Sequence, residues 1–203
     1  MSKRSDGWFI RPGKMVTVHF HETGIFRCFG LPLSAFLDTA NDAPATLDAQ
    51  EIIQLREKIF NLSNGMDIAA CLNHFFCDKL TTRKDRMNNM DAIARYVNSK
   101  KGNINIDWLM TQANMSVKTL ERQFHEKIGF SPKSYSRIVR FSFAMKMLSQ
   151  NKGVFDVIED CGYTDQAHFI KEVRLFTGRT PKFYYTMDTE EEFGLRLLLD
   201  NRA

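Results

Sequence analysis

The chain has 203 residues, 43 % of them hydrophobic and 26 % charged, with a formal net charge of +4. That length buries a core of one to two domains, and no run of about 18 apolar residues offers a membrane span. Two early cations, Lys3 and Arg4, are not followed by the apolar stretch of a secretory signal, which points to the cytoplasm.

The charge is unevenly spread. Residues 88–186 hold 15 Lys and Arg against 9 Asp and Glu, residues 1–87 hold 11 against 10, and residues 187–203 hold 2 against 5. A basic block between near-neutral and acidic flanks suits a phosphate-facing domain. The four cysteines, Cys28, Cys71, Cys77 and Cys161, form no CxxC pair and read as small apolar thiols in a reducing compartment.

In chain order, residues 15–20 and 25–29 are rich in β-branched and aromatic residues around the polar turn His21-Glu22-Thr23-Gly24, which predicts a hairpin after a turn at Arg11-Pro12-Gly13. His19 and His21 share one face of the first strand, and without a third ligand they read as half-exposed side chains rather than a metal site. A short helical turn is expected near Ser34. After the linker at 41–45, Ile52, Leu55, Ile59 and Leu62 fall on one helical face, and Ile68, Cys71, Leu72, Phe75 and Phe76 on another. With Ser63-Asn64-Gly65 between them, these make an antiparallel helix pair, a candidate homodimer face within 49–80. The domain plan is thus 1–80 for the ribbon and helix pair and 81–90 for a polar linker. It continues with 91–186 for a helical domain and 187–203 for an acidic, then apolar, tail.

Within 91–186 one pattern occurs twice. Leu109, Ala113, Met115, Leu120, Phe124 and Gly129 return as Val157, Cys161, Tyr163, Phe169, Val173 and Gly178. The offset is 48 residues before the turn and 49 after it, placing one inserted residue at the start of the second long helix. Each copy predicts a short helix, a tight turn (Asn114, Gly162), a capped long helix (Ser116 with 117–128; Thr164 with 165–176) and a glycine stop (Gly129, Gly178). A cap-plus-proline start follows in each (Ser131-Pro132, Thr180-Pro181). This is the helix-turn-helix plan. The connecting helix, about 20 residues, separates the two units by about 30 Å, close to one turn of B-DNA.

These residues resemble the AraC/XylS transcriptional regulators. The resemblance rests on Met115-Ser116, Leu120, Arg122, Phe124, Gly129, Ser131-Pro132 and Tyr135, on Arg140, Ala144 and Leu148, and on the run from Gly162 to Phe169 with Phe176, Gly178 and Thr180-Pro181. It implies a mainly α protein whose seven-helix double helix-turn-helix domain inserts two recognition helices into successive major-groove segments. By position the base-facing residues are Val117, Lys118, Glu121 and Arg122 on the first helix and Asp165, Gln166, His168 and Lys171 on the second. Arg122 and Lys118 suit guanine, Gln166 suits adenine and Glu121 suits cytosine. The plainer reading gives Lys118 and Lys171 to phosphates, Asp165 to its own helix N-terminus and His168 to packing.

Met110 and Ile158 stand where the family usually has a small alanine, Val173 where an aromatic is expected, and Lys171 where an arginine is common. These departures make the first copy the expected base reader and the second more of an anchor. Residues Phe20, Gly24, Arg27, Phe29-Gly30, Pro32 and Phe36 weakly resemble the region after the β-barrel sensor of such regulators, and the chain starts too late to hold that barrel. The expected partners are double-stranded DNA and RNA polymerase, with no cofactor and no metal. The alternative is a dimerising antagonist that keeps the fold without reading DNA. An enzyme is not expected, because the chain has neither a cysteine-rich zinc module nor a reactive Cys beside His and Glu.

Overall fold

The computed structural model describes residues 16–36, 47–82 and 89–184. Among them are nine α-helices, two 3-10 turns and no strand. The chain divides into two compact units, one formed by residues 1–30 and 38–85 and the other by 31–37 and 86–203.

The first unit corrects the expected ribbon. Residues 16–20 have no regular structure, and residues 25–29, expected as a strand, lie in helix α1, Gly24–Phe29, closed by Gly30 in the left-handed region. The predicted turn at residues 11–13 lies outside the described residues. A short apolar run cannot be assigned to strand or helix by periodicity, and its neighbours decide. Here α1 packs on a long helix rather than beside another strand. Phe20, Phe29, Phe75 and Phe76 meet edge to face, with centroids 5.1 to 6.4 Å apart. The helix pair is present as α2, Ala49–Asn61, and α3, Gly65–Thr82. Asp48 caps α2 by accepting from the Glu51 N–H at 3.0 Å, and the Lys79 ammonium near the end of α3 pairs with Glu51 near the start of α2, as antiparallel packing requires. Cys28 is buried, whereas Cys77 is exposed.

Among the described residues the second unit holds six α-helices: α4, Asn89–Ser99; α5, Ile106–Ala113; α6, Val117–Lys127; α7, Pro132–Ser149; α8, Val154–Cys161; and α9, Gln166–Thr177. Where the seventh helix is expected, the described residues end at Tyr184 and show a 3-10 turn, Pro181–Phe183, whose Thr180 makes no side-chain capping bond, unlike Ser131 at the start of α7; the rest of that expected helix lies outside the described residues. A second 3-10 turn, Leu33–Phe36, packs on α6.

Two cores form. Met90, Ile93, Val97, Leu109, Leu120, Phe124, Tyr135 and Val139 build the first, and Phe141, Met145, Leu148, Val157, Phe169, Val173 and Tyr184 are central to the second. Helix α7 belongs to both, because its buried positions drift around the helix along its 18 residues. Met110 and Ile158, the oversized residues, are half-buried at the edges of these cores, so the extra volume is absorbed at the rim.

Candidate nucleic-acid interface

The two helix-turn-helix units are α5–α6 and α8–α9, and local chemistry fixes both turns. Asn114 ends α5 in the left-handed region at φ 51°, and Gly162 ends α8 at φ 69°. Asparagine and glycine are the residues that tolerate this conformation. The Thr119 N–H donates to Ser116 Oγ at 3.2 Å, capping α6 as the sequence indicates. In the second unit the cap is Asp165, not Thr164. Asp165 Oδ1 accepts from the His168 N–H at 2.7 Å, and α9 begins at Gln166. The extra residue of the second copy therefore sits in the turn rather than at the start of the long helix, because the carboxylate is the stronger acceptor for an exposed helix N-terminus.

Burial divides each long helix cleanly. On α6 Leu120 and Phe124 are buried, while Val117, Lys118, Glu121 and Arg122 are exposed. Val117 is 52 % exposed, an unusual position for a β-branched apolar side chain at a helix start. Arg122 approaches Glu126 at 3.7 Å across one helical turn. Such a surface pair contributes at most about 1 kcal/mol and leaves the guanidinium free to exchange partners. On α9 Phe169 and Val173 are buried, and Gln166 and Lys171 are exposed beside the capping Asp165. His168 is half-buried, edge-on to the Tyr163 ring at 5.3 Å, and its Nδ1 accepts weakly from the Thr164 N–H at 3.4 Å. Asp165 and His168 thus have structural contacts of their own, whereas Gln166 and Lys171 are exposed and make no hydrogen bond or ion pair among the described residues.

The structure adds residues that motif matching passes over. A cleft of about 1020 Å³ lies between α9 and the first half of the domain, lined among others by Lys133, Arg137, Arg140, His168, Lys171 and Arg174. Among the described residues Glu172 is the single carboxylate in its wall, and Arg137 Nε donates to it at 2.8 Å. Lys133, Arg137 and Arg140 recur on α7 at spacings of four and three, so they share one helical face, and that periodicity was the available signal. The His168 and Lys171 positions expected to face DNA open onto this basic cleft, separate from the exposed face of α6. Burial, and then the Glu172 carboxylate, hold the Tyr163 phenol far above its ordinary pKa, so it is a neutral group throughout the physiological range.

Comparison with known proteins agrees with this geometry. A family model described as a helix-turn-helix domain matches residues 109–187. The HTH-type transcriptional activator RhaS of Escherichia coli O1:K1 is 33 % identical over 67 residues, which are 32 % of this chain and 24 % of RhaS. The HTH-type transcriptional activator RhaR of the same organism is 26 % identical over 101 residues, 49 % of this chain and 36 % of RhaR. The matched segments thus span about a quarter to a third of the length of these relatives. No solved structure matches the chain. Residues 109–187 are accordingly a helix-turn-helix domain, distantly similar to the AraC-type activators RhaS and RhaR.

Proposed function

We propose that the protein is a sequence-specific transcriptional regulator that places α6 and α9 in successive major-groove segments of one DNA duplex. The observation that carries this reading is the doubled unit itself. Both turns are built from residues that accept the left-handed region, both long helices are capped by an oxygen, and both keep polar side chains exposed over a buried aromatic or aliphatic row. The 18 residues of α7 give a rise of about 27 Å between the units, within reach of one turn of B-DNA. In this reading Arg122, Lys118, Glu121 and Val117 face the bases from α6, Gln166 and Lys171 do so from α9, and the cleft cations Lys133 and Arg174 face phosphates.

Selection from randomised duplexes tests it. The expected product is a bipartite site with its two clusters about one helical turn apart. A single cluster, or no enrichment at all, would favour the alternative of an interaction module that has lost DNA reading. Within that experiment Arg122→Ala weakens specific binding by about 1–3 kcal/mol and erases the preference at one base, whereas Lys118→Ala weakens all sequences alike and lowers the salt slope by about one. An Arg122→Ala variant with an unchanged selected sequence removes Arg122 from the base readers.

Dimerisation through α2 and α3 is the second part of the proposal. None of the residues of this helix pair is buried, and Phe60 and Met66 are 55 % and 77 % exposed. Two helices with that much open apolar surface are a poor end state in water. Sedimentation at micromolar concentration should show a dimer, and Phe60→Lys combined with Met66→Lys a monomer. A monomeric wild-type chain would assign the stripe to another role.

A further inference from the structure

The two halves of the DNA-binding domain bury separate cores, and α7 is the helix that enters both. One shared helix leaves the second half free to pivot unless other contacts cross between the halves. Among the described residues, Phe143 of α7 packs against both cores, and several polar contacts cross between the halves. Arg137 Nε on α7 donates to Glu172 Oε1 on α9 at 2.8 Å, and the Glu172 side chain is 2 % exposed against 37 % for Arg137. The same guanidinium lies over the Phe176 ring at 5.7 Å. Arg140, one turn further along α7, lies over the Tyr163 ring at 5.6 Å. Lys101 Nζ, in the loop after α4, is 3.8 Å from Asp160 Oδ2 on α8. The Asn103 side chain of that loop fills the space beside Gly162, where a Cβ would meet its Nδ2 at 2.5 Å.

This network is a weak source of stability. Among the described residues Glu172 Oε2, Arg140 Nε and the Tyr163 hydroxyl are buried without a well-formed hydrogen bond, the Tyr163 phenol lying close enough to Glu172 to feel its carboxylate. A buried ion pair with unsatisfied neighbours does little better than apolar residues of the same volume, and its best use is to select one arrangement over others. Glu172 also stands on the apolar face of α9, three residues after Phe169 and just before Val173, where a hydrophobic residue would pack without cost. Its hydrogen bond to Arg137 is directional where an apolar side chain would slide.

We infer that Glu172 is a positioning residue for DNA reading: through Arg137 it sets α9 in register with α6, and with it the spacing at which the two helices meet a duplex. This rests on the two-helix reading above. The experiment therefore has one arm without DNA. Spin labels carried on ketone-bearing residues at the exposed positions 125 and 167 leave the four cysteines untouched and report the distance between the two helices in the full chain. The wild-type protein and Glu172→Gln, which keeps the shape and the acceptor, should give one narrow distribution. Glu172→Leu, and Arg137→Leu combined with Glu172→Leu, should broaden it. The double variant leaves no orphaned charge, so it folds even where the single one does not.

The second arm inserts one or two base pairs between the halves of the selected site. Wild-type binding should fall at least tenfold per insertion. The folded double variant should lose much of that discrimination yet bind a lone half-site as the wild type does. A purely structural role would lower the melting temperature and leave both width and insertion penalty unchanged, and that result overturns the inference. If the wild-type protein selects no bipartite site, the two-helix reading fails while the distance distribution still decides whether Glu172 holds the register.

Discussion

Gly102→Ala is expected to destabilise the second unit by about 2–5 kcal/mol, the sum of a left-handed backbone penalty and a steric one. Gly102 follows α4 at φ +74°, and Lys101 before it is also left-handed at φ 50°. A Cβ at this position would lie 2.2 Å from the Ser136 carbonyl oxygen and 2.6 Å from the Arg140 backbone nitrogen. Both are backbone atoms of α7, so no side chain can turn away to make room. The Ser136 hydroxyl donates to the Gly102 carbonyl at 3.1 Å, and that bond would be lost as the loop lifts. Urea unfolding monitored by circular dichroism measures the effect. A loss below about 1 kcal/mol would mean that the loop and α7 separate without consequence. Because Asn103 rests against the Gly162 turn, the same substitution should also disturb the second unit.

Phe169→Ala is expected to cost about 3–5 kcal/mol, the usual range for emptying a buried aromatic site. Phe169 is fully buried, and its ring meets Tyr163 edge to face at 5.1 Å. A domain of this size has roughly 5–15 kcal/mol in total, so the loss takes a large share of it. The effect should be local. The first core is built from α4, α5, α6 and the N-terminal half of α7, none of which touches Phe169 within its cluster. Hydrogen exchange should show protection falling first in α8 and α9 and persisting in α4 to α6. Uniform loss in all six helices would show that the two cores unfold as one.

Much of the second unit was legible before any coordinates. Leu109 and Val157, Leu120 and Phe169, and Phe124 and Val173 are matched buried pairs in the two copies, each set by helical periodicity within about twenty residues. Ser116, Ser131 and Asn114 act where the residue types place them, because caps and left-handed stops are decided by a side chain and its own backbone. The exceptions are instructive. Asp165 takes the cap expected of Thr164, since two neighbouring acceptors competed and local pattern alone does not rank them. Residues 25–29 form a helix although their composition favours a strand, because α1 finds a helix with Phe75 and Phe76 to pack on rather than a second strand.

The candidate site divides in the same way. The exposure of Lys118, Arg122 and Gln166 follows from the buried face opposite each of them, and the sequence by itself determined it. It also determined the repeat, the helix-turn-helix plan and the caps of α6 and α7, for all of these are written within single helices and their flanks. Only the tertiary structure decided that Lys133, Arg137 and Lys171 line one cleft, that Gly102 lies against the backbone of α7, and that Glu172 is a buried partner of Arg137 from 35 residues away. Those contacts join residues with no local relation, and their existence depends on how the two halves close on α7. A sequence pattern records what each helix must bury. Which buried or basic side chain meets which is settled when the chain pays the entropy of bringing distant segments together.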